Sequence, residues 1–374
     1  MNKPSIHCAY FPQCSGCSFQ ENVTHPPIWE DVQSFFNKQA ILITGSTIHW
    51  RTRSKLAVRG SIENPQIGLF RQNTHDVVSI PHCPLHHPYI NRAYQTVQEA
   101  MIRSKIPPYN EQTITGAIRY LQFAVERRNR KIQLAVVINR KGRDPQIDKF
   151  VKQLYTSGQF QGIWINIQPG STNRILGDTW YLAEGEPYLT DTVGGIELFL
   201  HPACFAQAHL ELFEKILSSI KESLLPEEKV VEYYAGVGVI GLACVSKSQQ
   251  VLCTEINPFA SECFSLSRLK LPMPLQKKIH YLTGDAGALA HLVDESTVVI
   301  VDPPRKGLDP ALLLKLCQAP HLKQIIYLSC GFYSFQKECE QLLEQGWQIE
   351  KAEGYLLFPG SNHVEVLCVL RKST

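Results

Sequence analysis

Two apolar segments each carry a reactive side chain at one end. KQIIYLSC closes on Cys330, and FPGSNHVEVLCVL has His363 and Glu365 at its entry. A thiol whose thiolate form is favoured serves as a nucleophile in covalent catalysis. A carboxylate entering an apolar strand is costly to bury unpaired, which marks Glu365 as a general-base candidate. The plain alternatives are a small buried hydrophobe at 330 and a surface Glu on an edge strand. A third segment, TVVIVDPPRKG, ends in Asp302 followed by Pro303 and Pro304. The prolines lack N–H donors, so they end a strand ladder and hold an extended bend. The loop AGVGVIGL spaces Gly236, Gly238 and Gly241 as G-x-G-x-x-G, and the next strand ends in Glu255, placed to accept from ribose hydroxyls. A dinucleotide and S-adenosylmethionine both fit this arrangement, and a merely tight strand–helix turn is the third reading.

Twelve cysteines make a second constellation. Cys8, Cys14 and Cys17 cluster near the start, and Cys83 follows in IPHCPLHH. Four thiolates hold zinc or a [4Fe–4S] cluster. The unequal first gap and the distant fourth ligand fit a cluster better than paired zinc knuckles. The remaining cysteines are scattered through apolar stretches, as small buried hydrophobes are. Two basic runs stand out: Arg51, Arg53, Lys55 and Arg59, then Arg127, Arg128, Arg130 and Lys131. Each reads either as a solvated face or as a nucleic-acid patch.

The elements that must position these groups change character along the chain. Residues 1–36 form a Cys-rich, aperiodic segment. Residues 37–200 read as short strands with helices near 88–104 and 145–156, an α+β domain, and IRYLQFAVERRNRKIQLAVVIN is a hairpin with a basic tip. From 201 to 374, apolar β-branched strands alternate with helices, which predicts a parallel doubly wound α/β sheet, with final strands near 347–357 and 363–370. Ligands in such a fold bind beyond the carboxyl ends of the strands, where Glu255, Asp302 and Cys330 fall.

The whole chain of 374 residues, 44% apolar and 19% charged, is long enough for two or three cores and excludes wholesale disorder. A net charge of +3 is too mild to mark a nucleic-acid binder by bulk charge. No apolar run has the length of a membrane helix, and the first residues show no apolar signal core, so the expectation is a cytoplasmic protein with thiols rather than disulfides.

Taken together, Cys8, Cys14, Cys17 and Cys83, then FAQ, YYAGVGVIGL, TEI, VDPPRKG, YLSC and FPGSNHVE, resemble the bacterial RNA uracil-5-methyltransferases, in order and over nearly the whole chain. The RlmC type, which methylates 23S ribosomal RNA, is the nearest subfamily. No TRAM-like segment precedes the first cysteine, unlike the RlmD type, and the four-cysteine set is absent from the TrmA-type tRNA enzymes. The resemblance implies a class I methyltransferase (Rossmann-like) catalytic domain, a mainly β central domain that contacts RNA, and an N-terminal iron–sulfur segment completed by Cys83. It implies Cys330 as nucleophile and Glu365 as proton acceptor. It implies Gln207, Tyr234, Gly236, Glu255 and Asp302 as S-adenosylmethionine contacts, and the four cysteines as [4Fe–4S] ligands. The expected product is 5-methyluridine at the RlmC-type site, nucleotide 747, made by a monomer with RNA and neither membrane nor DNA as partner. The chain also departs from the family pattern: Glu232 for Asp, Ala235 for Cys, Ala206 and His209 in the FFQxN segment, Gly331 for Asn, and Leu356–Leu357 for Asp-Met. No departure removes a group the chemistry requires.

That chemistry explains the residue types. Uracil C5 is a poor nucleophile until a thiolate adds to C6 and gives C5 carbanion character. A base must then take the C5 proton so that the thiolate can leave. The target base must be unstacked for both faces to be reached, and the basic runs at 51–59 and 127–131 are candidates to hold phosphates, with Tyr120 and Phe123 as stacking surfaces or core residues. The alternatives are a tRNA enzyme of the same mechanism, an iron–sulfur oxidoreductase using a dinucleotide, and an inactive RNA-binding module.

Overall fold

The computed structural model describes residues 4–372. Its contacts divide the chain into two units. The first holds the residues up to Val23, Ser46–Asp191 and His201–Ala203; the second holds Thr24–Gly45, Thr192–Leu200 and the chain from Cys204 onward. Helix α1 (Ile28–Phe35) and the short strand β1 (Ile41–Ile43) therefore belong with the C-terminal half. The expected boundaries at 36/37 and 200/201 differ from this division. The reason is packing: Ile28, Val32, Phe36 and Ala40 enter the second unit's core, and β1 pairs in parallel with a strand near the C-terminus.

In the first unit, strands β2 (Arg53–Gly60), β3 (Pro65–Phe70) and β4 (Val77–Ser79) precede helix α2 (Pro88–Arg103). The expected hairpin is β5 (Ile118–Glu126) with β6 (Lys131–Ile138), in antiparallel register. Helix α3 (Pro145–Tyr155) crosses to β7 (Phe160–Ile167), which runs parallel to β6, and β8 (Thr179–Gly185) closes the edge. The sheet order is β4-β3-β2-β5-β6-β7-β8. Pro145 occupies the first turn of α3, and the Asp144 carboxylate accepts from Gln146 N–H, so the sequence specifies that helix start. The apolar faces of both helices meet Leu121, Phe123, Leu134 and Val136 in one core.

The chain then passes through β9 (Leu189–Val193) and β10 (Ile196–Leu200) into helix α4 (Leu210–Ser223). The alternation follows: β11 (Lys229–Tyr233), α5 (Val239–Cys244), β12 (Gln250–Glu255), α6 (Pro258–Arg268), α7 (Met273–Gln276), β13 (Ile279–Thr283), β14 (Val298–Val301), α8 (Pro310–Gln318), β15 (Gln324–Ser329), α9 (Phe332–Glu344), β16 (Trp347–Tyr355) and β17 (Glu365–Lys372). The order is β1-β16-β17-β15-β14-β11-β12-β13. Strands β14 and β15 are buried at every position, which is why they read as continuous apolar runs rather than alternating ones. The sheet is not wholly parallel: β17 runs antiparallel to both β15 and β16. That reversal matters for the site.

Candidate active site

Strands β11, β12, β14 and β15 are parallel, so their carboxyl ends share one edge of the sheet. Tyr234 and Gly236 follow β11, Glu255 closes β12, Asp302 follows β14 and Cys330 follows β15. Because β17 is antiparallel, its amino end joins the same edge. Leu328 pairs with Leu367 and Ser329 with Val366, so one step further along this register Cys330 faces Glu365. The two residues singled out for chemistry are thereby brought together from positions 35 apart in sequence.

The glycine loop is strained where it turns. Tyr234 is a non-glycine residue at φ 60°, and Gly236 and Gly238 also have positive φ. The Tyr234 hydroxyl accepts from Asp309 N–H at 2.8 Å, tying this loop to the one after β14. Glu255 accepts from Gly236 N–H at 3.0 Å through Oε2 and from Asn257 N–H at 2.9 Å through Oε1. A Cβ at Gly236 would meet open space, so the backbone there is free for a ligand to approach. Below the loop, buried Glu232 accepts from Gly241 N–H at 2.8 Å and from the Cys253 thiol at 3.1 Å. Burial is the largest influence on Glu232 and pushes it up to about 8.

The segment 302–308 is held by α9. Glu338 accepts from Leu308 N–H at 2.9 Å and from the Tyr327 hydroxyl at 2.5 Å. The Arg305 carbonyl accepts from the Ser334 hydroxyl at 3.0 Å. A Cβ at Gly331 would stand 2.6 Å from that same carbonyl, so this backbone accommodates glycine, not asparagine, after Cys330.

The electrostatics of this edge favour protonated acids. Burial, then the charge of Glu255, pushes Asp302 up to about 7. Burial and then Asp302 push Glu365 well above the carboxylate range, against the pull of Arg305. Glu365 is 3% exposed and its Oε1 has no partner among the described residues. Burial, Glu365 and Asp302 push the Cys330 thiol up to about 11, again opposed by Arg305, and the thiol donates to Pro303 O at 3.7 Å. Arg305 is therefore the cation facing both reactive groups. Sequence reasoning passed over it, although it stands in the quoted VDPPRKG. Its Nη2 donates to His363 Nε2 at 3.4 Å, and burial together with Arg305 lowers the His363 pKa. Gln207 is buried in the segment between β10 and α4.

In the first unit, Cys8, Cys14, Cys17 and Cys83 line one pocket with Arg51, Ser54 and His86. Gly16 N–H points to Cys14 Sγ at 3.4 Å. Among the described residues, however, no three His, Cys, Asp or Glu side chains are grouped so as to hold a metal ion, so the expected metal centre is not shown. The basic run at 51–59 also departs from expectation. Arg59 is buried, ion-paired with Glu111, and donates to the carbonyls of Val58 and Arg119 at 2.9 and 3.0 Å. Phe123 is a core residue at 0% exposure, not a stacking surface. Arg127 pairs with Asp191 at 3.0 Å, while Arg128, Arg130 and Lys131 are exposed at the hairpin tip. No helix among the described residues is long and apolar enough to cross a membrane.

The strand order with its one reversed strand, the glycine loop and the acidic strand ends define a class I S-adenosylmethionine-dependent methyltransferase fold. The crystal structure of Pyrococcus abyssi tRNA (uracil-54, C5)-methyltransferase in complex with S-adenosyl-L-homocysteine matches it with a TM-score of 0.76 at 19% identity, covering 96% of this chain and 86% of that one. The model of the tRNA (uracil-5-)-methyltransferase family matches residues 291–373, the stretch that carries Asp302, Cys330 and Glu365. An uncharacterised RNA methyltransferase of Protochlamydia amoebophila is 42% identical over 381 residues, covering 100% of this chain and 99% of its own length. Another, from Geobacter sulfurreducens, is 30% identical over 344 residues, covering 89% of this chain and 68% of its own. The chain belongs to the RNA (uracil-5-)-methyltransferase family and is an S-adenosylmethionine-dependent enzyme acting on RNA. The dinucleotide-dependent oxidoreductase reading of the glycine loop is thereby set aside.

Proposed function

We propose that the enzyme methylates C5 of a uridine in 23S ribosomal RNA, in the cytoplasm and at the RlmC-type position, through a covalent bond between Cys330 and uracil C6. The observation that carries the chemistry is the β15–β17 register, which sets Cys330 opposite Glu365. The resemblance of the four-cysteine set to the RlmC type supports the ribosomal substrate. The names of the matching family model and of the Pyrococcus enzyme both specify tRNA, which favours tRNA as the second reading.

S-adenosylmethionine, when bound, supplies an electrophilic methyl group for C5. Gln207, Tyr234, Gly236, Glu255 and Asp302 are the residues proposed to hold it. The open space at Gly236 and the lone pairs left on Glu255 suit a ligand rich in hydroxyl donors. Cys330 gives up its proton to solvent, with Arg305 as the cation favouring the thiolate, and Sγ bonds to C6 while the electron pair of the C5–C6 double bond moves to C5 and O4. Glu365 must first lose its own proton to solvent, with Arg305 as the cation favouring the carboxylate; once C5 carries both its proton and the methyl, that carboxylate takes the C5 proton. The electron pair of the C5–H bond re-forms the C5–C6 double bond, and the C6–S bond breaks to release the thiolate.

The four cysteines are proposed to hold a [4Fe–4S] cluster. The half-buried Arg51 guanidinium beside the thiols supports an anionic occupant, and N–H groups of Leu85 and His86 also point at Cys83.

RNA carrying 5-fluorouridine at the target position tests the covalent route. Fluorine leaves Glu365 no proton to take, so the adduct should persist through denaturing electrophoresis and vanish in Cys330→Ala. A wild-type enzyme that turns over normally on RNA and forms no persistent complex with the fluorinated RNA would contradict it.

A further inference from the structure

The first unit carries a stack of rings and a cation on the outer side of α2. His87 caps the helix: its Nδ1 accepts from Tyr89 N–H at 3.4 Å. This bond holds the imidazole over the Tyr89 ring, with centroids 5.4 Å apart and 24° between planes. The exposed Arg92 guanidinium lies 5.2 Å from the same ring's centroid. The buried face of α2 is the stripe Ile90, Ala93, Tyr94 and Val97; Tyr89 is half-buried, packing one part of its ring against that core while His87 and the exposed Arg92 lie against it at the surface.

The hairpin tip lies beside it. Gln159 links the two: its carbonyl accepts from Ile132 N–H at 3.0 Å at the base of the tip, and its Nε2 donates to Thr96 Oγ1 of α2 at 2.9 Å. Of the exposed tip residues Arg128, Arg130 and Lys131, Arg130 is near enough for its charge to act on His87. Burial, then His49 and Arg130, lower the His87 pKa. The ring thus stays neutral, as its acceptor role at Nδ1 requires. His49, exposed on the other side, is fixed by its Nδ1 at 3.2 Å from His86 O.

We propose that the His87–Tyr89–Arg92 stack, with Arg130 beside it, is a contact surface for an unpaired segment of the substrate RNA, in which the rings stack a base and the guanidinium groups hold its phosphates. This surface rests on the reading of structured RNA as substrate, and it names where the first unit grips that RNA. Aromatic faces with flanking arginines are what single-stranded nucleic acid needs. The preset ring geometry lowers the ordering cost of binding.

The test uses the full-length enzyme with two labelled probes, an unmodified 23S rRNA fragment spanning the target uridine and unmodified bulk tRNA. Affinities are titrated against potassium chloride for wild type, Tyr89→Ala, Tyr89→Phe and Arg130→Ala, with thermal melting as the fold control. Whichever RNA the wild type binds and methylates settles the substrate; the variants, read on that RNA, decide the surface. Tyr89→Ala should weaken binding by about five- to a hundredfold, and Tyr89→Phe should restore it. Arg130→Ala should flatten the salt slope by roughly 0.7–0.9 per lost phosphate contact. Affinity and slope equal to wild type in properly folded Tyr89→Ala and Arg130→Ala would overturn the proposal.

Discussion

In the proposed mechanism Cys330 and Glu365 divide the work between bond making and bond breaking, and the structure gives each a disfavoured resting charge. Burial and neighbouring carboxylates push the thiol up to about 11, so little thiolate exists near neutrality. The single-turnover rate of adduct formation should therefore climb steadily between about pH 7 and pH 9, as the thiolate fraction rises tenfold per unit; a plateau below about pH 8 would mean that another group sets the rate. Removing the base separates the two halves of the reaction. Glu365→Gln should still form the adduct but release product about 10²- to 10⁴-fold more slowly, so methylated RNA should remain attached to the protein on denaturing gels. Both candidates stand out in the sequence because each interrupts an apolar run at its end, and the fold brings the two onto one edge of the sheet. Arg305 was not, because a basic residue after a proline pair looks like any solvated turn. Its meaning comes from the fold, which aims it at Cys330, Glu365 and His363.

The elements convert distant sequence positions into a site by direction alone. A wholly parallel sheet would place the start of the last strand at the far edge, away from Cys330. The antiparallel β17 puts Glu365 where it is needed. The sequence foretold the alternation and the glycine loop, since apolar strand runs and G-x-G-x-x-G are local signals. It did not foretell the reversal, which depends on pairing between segments that periodicity treats alike. Nor did it assign β1, whose three residues are too few to show a pattern. The glycine loop rests on Glu232, a buried acid raised to about 8. Its folded pKa lies above the unfolded carboxylate value. Its contribution to stability is therefore fully present below about pH 4.5 and is lost as the pH rises through about 8. Asp302, raised to about 7, acts in the same direction. The melting temperature should fall across this window, and Glu232→Gln, which keeps an oxygen for Gly241 N–H, should flatten the fall. An unchanged pH profile in a folded variant would show that Glu232 is ionised without cost.

At the scale of the molecule, the two units serve different needs. The second carries the residues proposed to bind S-adenosylmethionine and to react. The first gathers four cysteines from both ends of a 76-residue stretch around one pocket. The cysteine spacing made that gathering legible, whereas the boundary between the units was hidden, because α1 and β1 follow the cysteine segment in sequence but pack elsewhere. Cys14→Ser should lose bound iron, measured by chelation assay and visible absorbance, and melt at lower temperature; a variant without iron but with wild-type stability and activity would make the cluster dispensable. The most direct measurement of the central claim is labelled methyl transfer from S-adenosylmethionine into unmodified 23S rRNA and, in parallel, bulk tRNA, with Cys330→Ala beside wild type. The expected result is label recovered as 5-methyluridine in 23S rRNA and none from Cys330→Ala. Label in tRNA alone would keep the chemistry and contradict the ribosomal substrate, and label from Cys330→Ala would contradict the covalent mechanism itself.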